Sequence, residues 1–255
     1  MIVQQIREYL LKNAPERKIA DLRIGLIYTG VLLDDGNAGV AYTFSENFLD
    51  CHSFFAGIRP LKGRSTHEVL RCLGSSNMVE ASVGIATANA LINHEKEEKQ
   101  GGDILDVLEL RETDCVGMVG AFVPMISLLK ARVGELLIFE LHDRPAEGVL
   151  SAEKAFHELP RCDVALITST SLINGTMDLL IEAAVKGCRD VVLLGPSTPL
   201  LPEIFKPLGV TMLSGLIITD PPGILQVVSE GGGMRSFGDF IKKVNIRIGQ
   251  SVANC

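Results

Sequence analysis

The sequence lacks any concentration of basic residues. It has 24 Lys and Arg against 31 Asp and Glu, which gives a formal net charge of −7, and the basic residues are scattered along the chain. Proteins that neutralise a phosphate backbone carry their positive charge in a patch or stripe. The composition therefore argues against a nucleic acid as partner.

A framework of paired cysteines is also missing, because the six cysteines lie far apart and form no CxxC motif. They are Cys51, Cys72, Cys115, Cys162, Cys188 and Cys255. A chain of 255 residues needs no disulfide stapling, so reduced thiols are expected. At the starts of two predicted strands, Cys115 and Cys162 are expected to pack as small hydrophobic side chains.

Clustered metal ligands are scarce as well, since the five histidines are dispersed. Transition-metal sites usually combine Cys and His at short spacing. The adjacent Cys51 and His52, and the group formed by Glu140, His142 and Asp143, are the candidates that remain. Among the latter group, Glu140 and His142 are the candidate metal ligands.

Long hydrophobic segments are absent too. No stretch approaches the roughly 18 consecutive apolar residues of a membrane span. The first residues interleave charged and apolar side chains and show no export signal. The composition, 47% hydrophobic and 22% charged, is that of a folded globular protein. We expect a cytoplasmic protein without a membrane partner.

The first 93 residues predict an α+β arrangement. Apolar residues at helical spacing predict a helix over residues 3–11. Two β-rich runs, residues 23–33 and 39–44, flank the turn sequence DDGNA and predict a hairpin. Capping and stop signals predict helices over residues 65–74 and 77–93.

After a polar stretch, the pattern becomes a regular alternation of apolar strands and helices. Strands are predicted at residues 115–120, 135–141, 163–170, 190–195 and 210–215. Such runs of Val, Ile and Leu are typical of a parallel sheet buried on both faces. The sequence thus predicts two domains: an α+β domain over residues 1–111, and a Rossmann-like, doubly wound α/β domain over residues 112–255.

Ligands of doubly wound sheets bind beyond the carboxyl ends of the strands. The first such loop contains Gly120 and Phe122, and the helix that starts near Met125 has amides that are expected to hold an anion. Glu140 lies 20 residues beyond Gly120, as a ribose-binding acid would. Because only Gly117 and Gly120 of the GxGxxG pattern are present, a ligand other than a dinucleotide is favoured.

The loop after the second strand offers Glu140, His142 and Asp143, which can bond a ribose, ligate a hard metal or shuttle a proton. Strand alternation places Glu140 and His142 on one face and Asp143 on the other. A solvated strand end is the alternative interpretation.

Two further loops are rich in small polar groups. In residues 169–176, Thr170, Asn174 and Thr176 can orient a polar ligand, although helix capping explains one or two of these residues. In residues 195–200, the permissive backbone of Gly195 and two prolines make a rigid loop that is expected to expose Ser197 and Thr198.

Asn77, Glu80, Gly84 and Thr87 share one face of the helix predicted over residues 77–93. The alternative is structural: Asn77 with Glu80 three residues later is close to a capping box, which needs no ligand.

Several segments in the same order resemble the putative heavy-metal chelation family: NMVEASVGIATANALIN, VGMVGAF, the strand ending at Glu140, CDVALITSTSLINGT, GPSTPL and MLSGLIITD. The resemblance implies an enolase-N-terminal-like first domain, a Rossmann-like second domain and a site in the cleft between them. It implies that Asn77 and Glu80 face the cleft, with Glu80 as acid, base or ligand. The residues it places opposite are Gly120, Glu140, Thr170, Asn174, Thr176, Gly195 and Thr198.

Three functions stay open at this point. The first is binding or processing of a transition metal, a metal complex or its chelating small-molecule ligand. The second is a nucleotide-dependent enzyme with Gly120 near phosphate and Glu140 at a ribose. The third is a non-catalytic sensor or carrier, since fold alone does not decide function. The family's general habit implies a homo-oligomer.

Overall fold

The computed structural model describes residues 1–44, 54–94, 100–141 and 148–249. It begins with a three-stranded antiparallel sheet in the order β1-β2-β3, formed by β1 (Ile19–Ile24), β2 (Tyr28–Leu33) and β3 (Ala38–Tyr42). The predicted hairpin between β2 and β3 is confirmed. The single strand expected over residues 23–33 is wrong. Gly25 turns the chain where a Cβ would lie 2.2 Å from the carbonyl oxygen of Val228.

Three helices accompany this sheet: α1 (Ile2–Asn13), α2 (Thr66–Val69) and α3 (Met78–Ile92). The helices predicted near residues 3–11 and 77–93 are confirmed. The one predicted over residues 65–74 is shorter, because α2 ends after one turn and continues as a 3-10 turn, Leu70–Cys72. Ser65 caps α2, its Oγ accepting from the His67 amide at 3.1 Å.

Helix α3 lies at the centre of the molecule. Thirteen of its fifteen residues are buried, and small or apolar side chains occupy all its sides, as in a helix enclosed by other elements. It packs against β2 and β3. At Gly39 of β3 the two backbones touch, since a Cβ there would lie 2.3 Å from both the Ala86 oxygen and the Ala90 nitrogen.

The second half of the chain builds an eight-stranded sheet in the order β4-β11-β10-β9-β8-β5-β6-β7. Its strands are β4 (Gln100–Gly101), β5 (Cys115–Val119), β6 (Glu135–Glu140), β7 (Val149–Ser151), β8 (Val164–Thr168), β9 (Asp190–Leu194), β10 (Met212–Ile218) and β11 (Ile241–Arg247). Strands β5 to β10 run parallel. β11 runs antiparallel to β10, and β4 pairs antiparallel with β11, so β4 has the direction of the parallel strands. All five predicted strands are confirmed, and β4, β7 and β11 are additional.

Counted from β5, the parallel strands follow the order 3-2-1-4-5-6 of a Rossmann-like doubly wound sheet. Its helices are α4 (Ile104–Val107), α5 (Val123–Lys130), α6 (Ala155–Glu158), α7 (Met177–Ala184), α8 (Pro202–Phe205) and α9 (Pro221–Ser229). Residues 100–107 thus pack with the second sheet, and the domain division at residue 111 stays a prediction. Within the described ranges, no helix combines the length and apolar character needed to cross a membrane.

At the amino ends of the parallel strands, a buried ion pair joins Asp114 and Arg189. The two carboxylate oxygens of Asp114 accept from Arg189 Nη1 at 2.8 Å and Nη2 at 2.6 Å, and the Arg111 amide donates a third bond at 2.7 Å. The Asp114 side chain is 3% exposed. Because both charges are largely removed from water, each depends on the other for solvation.

The two sheets are joined through α3 and the loop that follows β9. Asn93 donates to the Thr198 oxygen at 2.9 Å and accepts from the Leu200 amide at 2.9 Å. On the opposite face of β2, α9 packs against the three-stranded sheet. The three-stranded sheet therefore lies between α3 of the first half and α9 of the second half.

Replacing Asn93 with alanine is expected to lower the free energy of unfolding by about 2 kcal/mol, because two buried backbone groups lose their partner. Denaturant unfolding monitored by circular dichroism measures this loss. The matched control is Asn13→Ala, which removes an exposed bond to the Tyr9 oxygen. Equal effects of the two substitutions would contradict the joining role of Asn93.

Candidate functional site

A cavity of about 380 Å³ lies where the three-stranded sheet meets the carboxyl ends of the parallel strands. From the first sheet and its following residues come Tyr28, Tyr42 and Phe44. The other described lining residues are Val119, Gly120, Ala121, Phe122, Phe139, Glu140, Leu141, Ala152, Phe156, Thr168, Thr170, Ser171, Asn174, Thr176, Leu180, Leu194, Gly195, Pro196 and Ser197.

The cavity occupies the switch point of the sheet, where the chain order reverses between β5 and β8. Loops on both sides of this point diverge and leave a crevice. The structure brings the ends of four predicted loops together here. The residues concerned are Gly120, Phe122, Glu140, Thr170, Asn174, Thr176, Gly195 and Ser197. Their role in ligand binding stays a prediction.

Gly120 makes the turn at the end of β5, with a φ of +88° that favours glycine. The Phe122 ring lies beside it: Cε2 is 3.7 Å from the position that a Gly120 Cβ would take, and Cε1 is 3.9 Å from that of Gly195. An aromatic ring therefore lies beside Gly120, in the loop where a dinucleotide phosphate would approach the backbone, and also beside Gly195.

Backbone amides at the start of α5 already have acceptors. The Ala121 amide donates to Glu140 Oε2 at 2.8 Å. Three further bonds stay within the loop, from Phe122 N to Gly120 O, from Val123 N to Ala121 O and from Met125 N to Phe122 O. Pro124 has no N–H. The free amides expected near Met125 are therefore not found within residues 121–125. This helix start has few N–H groups available to bind an anion.

Glu140, at the end of β6, places a negative charge in this loop. Its Oε1 accepts from the Leu141 amide at 2.8 Å while Oε2 accepts from Ala121. It is the one formally charged residue among the described lining residues, which include no Lys, Arg or His. The carboxylate thus lies where a phosphate would otherwise bond, and it repels anions.

Hydroxyl and amide groups line the side of the cavity formed after β8. Thr168 Oγ1 and Thr170 Oγ1 are 3.0 Å apart. Asn174 Oδ1 accepts from the amide and the hydroxyl of Thr176, at 3.2 and 2.8 Å. The two N–H groups of the Asn174 amide have no acceptor among the described residues, so this wall can donate hydrogen bonds to a ligand.

The opposite wall is aromatic and was not predicted. Tyr28 and Tyr42 meet edge to face with ring centroids 6.1 Å apart, and Tyr42 meets Phe44 at 5.0 Å. Burial, followed by the proximity of Tyr42, raises the pKa of Tyr28 to about 12, so its hydroxyl stays protonated. In the sequence, these aromatic residues are indistinguishable from core positions of a strand.

The exposure expected for Ser197 and Thr198 is wrong, because both are at most 1% exposed. Ser197 Oγ accepts from the Tyr42 amide at 2.9 Å. Thr198 Oγ1 donates to the Gly195 oxygen at 2.8 Å and lies 2.7 Å from Ser169 Oγ. Both side chains are thus used in holding the loop, and Thr198 is not among the described residues that line the cavity.

Asn77 and Glu80 are also outside the described lining. Asn77 caps α3, its Oδ1 accepting from the amides of Val79 and Glu80 at 3.0 and 3.2 Å. Glu80 accepts from the Phe55 amide and the Ser75 hydroxyl, both at 2.7 Å. The capping interpretation explains Asn77, and the catalytic role of both residues stays a prediction.

The remaining members of that helix face are engaged in packing. A Cβ at Gly84 would lie 2.6 Å from the Leu73 nitrogen, and Thr87 Oγ1 donates to the Val83 oxygen of its own helix at 2.8 Å.

A metal centre is not evident in the part of the chain that the structure describes, where no three His, Cys, Asp or Glu side chains converge. Glu140 is described and has two backbone partners. His142, Asp143, Cys51 and His52 lie outside the described residues. The described side chains alone therefore do not fit a resident transition metal.

Comparison with known proteins extends over nearly the whole chain. An uncharacterized protein of Methanocaldococcus jannaschii is 27% identical, with 97% of this chain and 98% of that protein covered. Two solved structures, each of a protein with unknown function from the DUF364 family, are 25% identical to this chain. That from Desulfitobacterium hafniense has a TM-score of 0.81 and covers 96% of this chain and 98% of its own. That from Pyrococcus horikoshii has a TM-score of 0.85, with coverages of 97% and 100%.

Two family models match in tandem, and both carry the description "Putative heavy-metal chelation". The DUF4213 model matches residues 7–92 and the DUF364 model matches residues 103–247. The second match alone spans more than half of the chain. The protein therefore belongs to the DUF364 family described as "Putative heavy-metal chelation".

Proposed function

We propose that the cavity binds an organic ligand of neutral or positive charge, either free or as the chelating shell of a heavy metal. The observation that carries this proposal is the Glu140 carboxylate, which bonds the Ala121 amide in the loop where nucleotide phosphates bind in sheets of this order. A cationic complex is attracted to that charge, whereas a phosphate is repelled.

The cavity's size and composition support a small organic ligand. About 380 Å³ falls within the roughly 300–1,000 Å³ of sites that hold drug-sized molecules. Aromatic rings from both sheets supply apolar contact area. Thr170, Asn174 and Glu140 supply a few convergent polar groups. Such a site suits a flat ligand with hydrogen-bonding groups on one edge.

The family description supports a heavy metal as part of the bound ligand. The described residues favour a metal that arrives already chelated by an organic molecule over a bare metal ion. A transition metal held by protein alone requires three or four side-chain ligands. A chelated metal arrives with most of its coordination positions filled, so one carboxylate is enough to orient it. Whether the bound ligand is then processed or only carried separates an enzyme from a sensor.

Strand order favours a second candidate, a nucleotide ligand. Phe122 beside Gly120 and Gly195, together with the occupied amides of residues 121–125, argues against it. Nucleotides are therefore included in the test below.

We expect the 1:1 nickel complex of 1,10-phenanthroline to raise the melting temperature of the full chain by several degrees at saturation, because it binds only the folded state. NAD, ATP and nickel chloride alone are expected to leave the melting temperature unchanged. Differential scanning fluorimetry measures the melting temperature with each of these four additions and with metal-free phenanthroline.

In this assay, Glu140→Gln is expected to weaken binding of the nickel complex about tenfold or more, because a charge-assisted contact is lost. Glu135→Gln is the matched control, since this glutamate begins the same strand at its far end. Stabilisation by NAD or ATP without stabilisation by either phenanthroline probe would overturn the proposal in favour of a nucleotide.

A further inference from the structure

Two cysteines lie in contact at the end of the eight-stranded sheet opposite the cavity. Cys115 is the first residue of β5, and Cys162 lies two positions before β8. Their sulfur atoms are 3.5 Å apart although the residues are 47 positions apart in sequence. The Asp163 amide donates to the Cys115 oxygen at 2.8 Å, which fixes the two chain segments side by side. The thiol contact is therefore a product of strand pairing.

The backbone geometry suits a disulfide. Val116 pairs with Val164, so Cys162 lies one position before the residue opposite Cys115. Spacings of about 4.8 Å between strands and about 3.3 Å along them put the two Cα atoms about 6 Å apart, within the usual range of about 4.4–6.8 Å for disulfides. The sulfurs need to approach by about 1.5 Å to reach a bond of about 2.05 Å. Gly117 leaves room for the Cys162 sulfur beside the Cys115 sulfur, because a Cβ at this position would lie 3.1 Å from the Cys162 sulfur.

The two thiols differ in their access to solvent. Cys115 is 9% exposed and Cys162 is 2% exposed. Cys115 also lies 3.9 Å from the guanidinium of Arg161, which is half exposed and paired with Glu135 at 2.8 Å. Both thiols are buried, and Cys115 is the more accessible of the two to a dissolved reagent. Burial opposes a thiolate at Cys115 most strongly; among its neighbours, the Cys162 thiol and Arg161 favour the thiolate, whereas the carboxylate of Glu135 opposes it.

We infer that Cys115 and Cys162 form a redox-active dithiol that a low-molecular-weight disulfide converts to an intramolecular disulfide. The Cys115 thiolate attacks the reagent disulfide, forming a mixed disulfide and releasing one reagent thiol. The Cys162 thiolate then attacks the Cys115 sulfur and releases the second. Two protons leave the cysteines and two electrons reduce the reagent, so the reaction balances. This inference is independent of the ligand proposed for the cavity.

Burial raises the pKa of the Cys115 thiol above its ordinary value of 9.0, and it raises the pKa of Cys162 further. Both are therefore protonated at neutral pH. Since the thiolate is the nucleophile, the exchange rate is expected to rise about tenfold per pH unit while both groups remain below their pKa values.

The test incubates the folded, reduced full chain with oxidised glutathione and maps the products by peptide mass spectrometry. We expect a cross-linked peptide pair that contains Cys115 and Cys162. With Cys162→Ala, the expected product is a stable glutathione adduct on Cys115. With Cys115→Ala, Cys162 is expected to stay unmodified while the chain is folded. Circular dichroism establishes that each variant is folded.

Cys188→Ala is the matched control, because this third thiol lies nearby, with its sulfur 3.3 Å from the Leu159 oxygen, and burial raises its pKa to about 12. The cross-link is expected to form unchanged in this variant. A cross-link that joins Cys188 instead would overturn the inference. So would a folded wild-type chain that gives no cross-link under conditions in which the denatured chain reacts.

Discussion

Gly39→Ala is expected to abolish the native packing of α3 and to lower the free energy of unfolding by more than about 4 kcal/mol. The added Cβ would lie 2.3 Å from the Ala86 oxygen and 2.3 Å from the Ala90 nitrogen. Both are backbone atoms of α3, so no side-chain rotation relieves the clash. The helix has to move away from β3, and its other contacts are lost with it.

The loss at Gly39 is measured as the change in denaturant midpoint, or as loss of soluble protein if the variant does not fold. Gly101→Ala is the matched control, because Gly101 also lies in a strand and the atoms nearest its added Cβ are 4.0 Å away. We expect this control to change stability by less than about 0.5 kcal/mol. A Gly39→Ala variant as stable as the control would mean that α3 does not approach β3 this closely.

Asp114→Ala is expected to cost about 3 kcal/mol of stability at neutral pH, because it leaves the guanidinium of Arg189 buried without its main partner. Arg189 keeps weaker contacts with Asp190 at 3.6 Å and Asp163 at 4.0 Å, which limits the loss. Glu182→Ala, in an exposed pair with Lys186, is expected to cost less than about 1 kcal/mol. Equal losses would show that burial of the Asp114 pair has no energetic consequence.

The same carboxylate predicts a dependence on pH. Burial raises the pKa of Asp114, but hydrogen bonds from Arg189 and the Arg111 amide outweigh it and hold the pKa below its ordinary value of 3.8. A carboxylate whose pKa is lower in the folded state stabilises the fold at pH values above its pKa in the unfolded state. This contribution is lost as the pH falls through its pKa in the folded state. Wild type is therefore expected to lose stability more steeply than Asp114→Ala below about pH 4. Parallel curves for the two proteins in acid unfolding would contradict this expectation.

Much of the second sheet is predictable from local sequence. The five central strands are continuous apolar runs because both faces of the sheet are buried, and this signal needs no knowledge of the rest of the chain. β7 has three residues and β4 has two, too few to show a pattern. β11 contains Lys242, Lys243 and Arg247, so its pattern differs from that of a strand buried on both faces.

Part of the candidate site can be predicted from the sequence, and the features that cannot be predicted depend on tertiary packing. The loops after β5, β6, β8 and β9 follow from the topology of a doubly wound sheet. The aromatic wall depends on how the three-stranded sheet docks, which no spacing in the sequence specifies. The same docking buries Ser197 and Thr198, which local sequence favours as exposed. At residues 121–125, motif spacing cannot show that Glu140 already occupies an amide.

Helix α3 lies in the first of the two segments matched by separate family models and contacts the second, so the two segments are expected to evolve together. Asn89 of this helix bonds the Val40 oxygen of the first sheet at 2.9 Å and reaches the Pro196 oxygen of the second half at 3.4 Å. A recombinant that joins one relative's first segment to another's second segment has to keep the helix surface and the loop after β9 matched. Substitutions in either are therefore expected to appear together among descendants, as paired changes rather than independent ones.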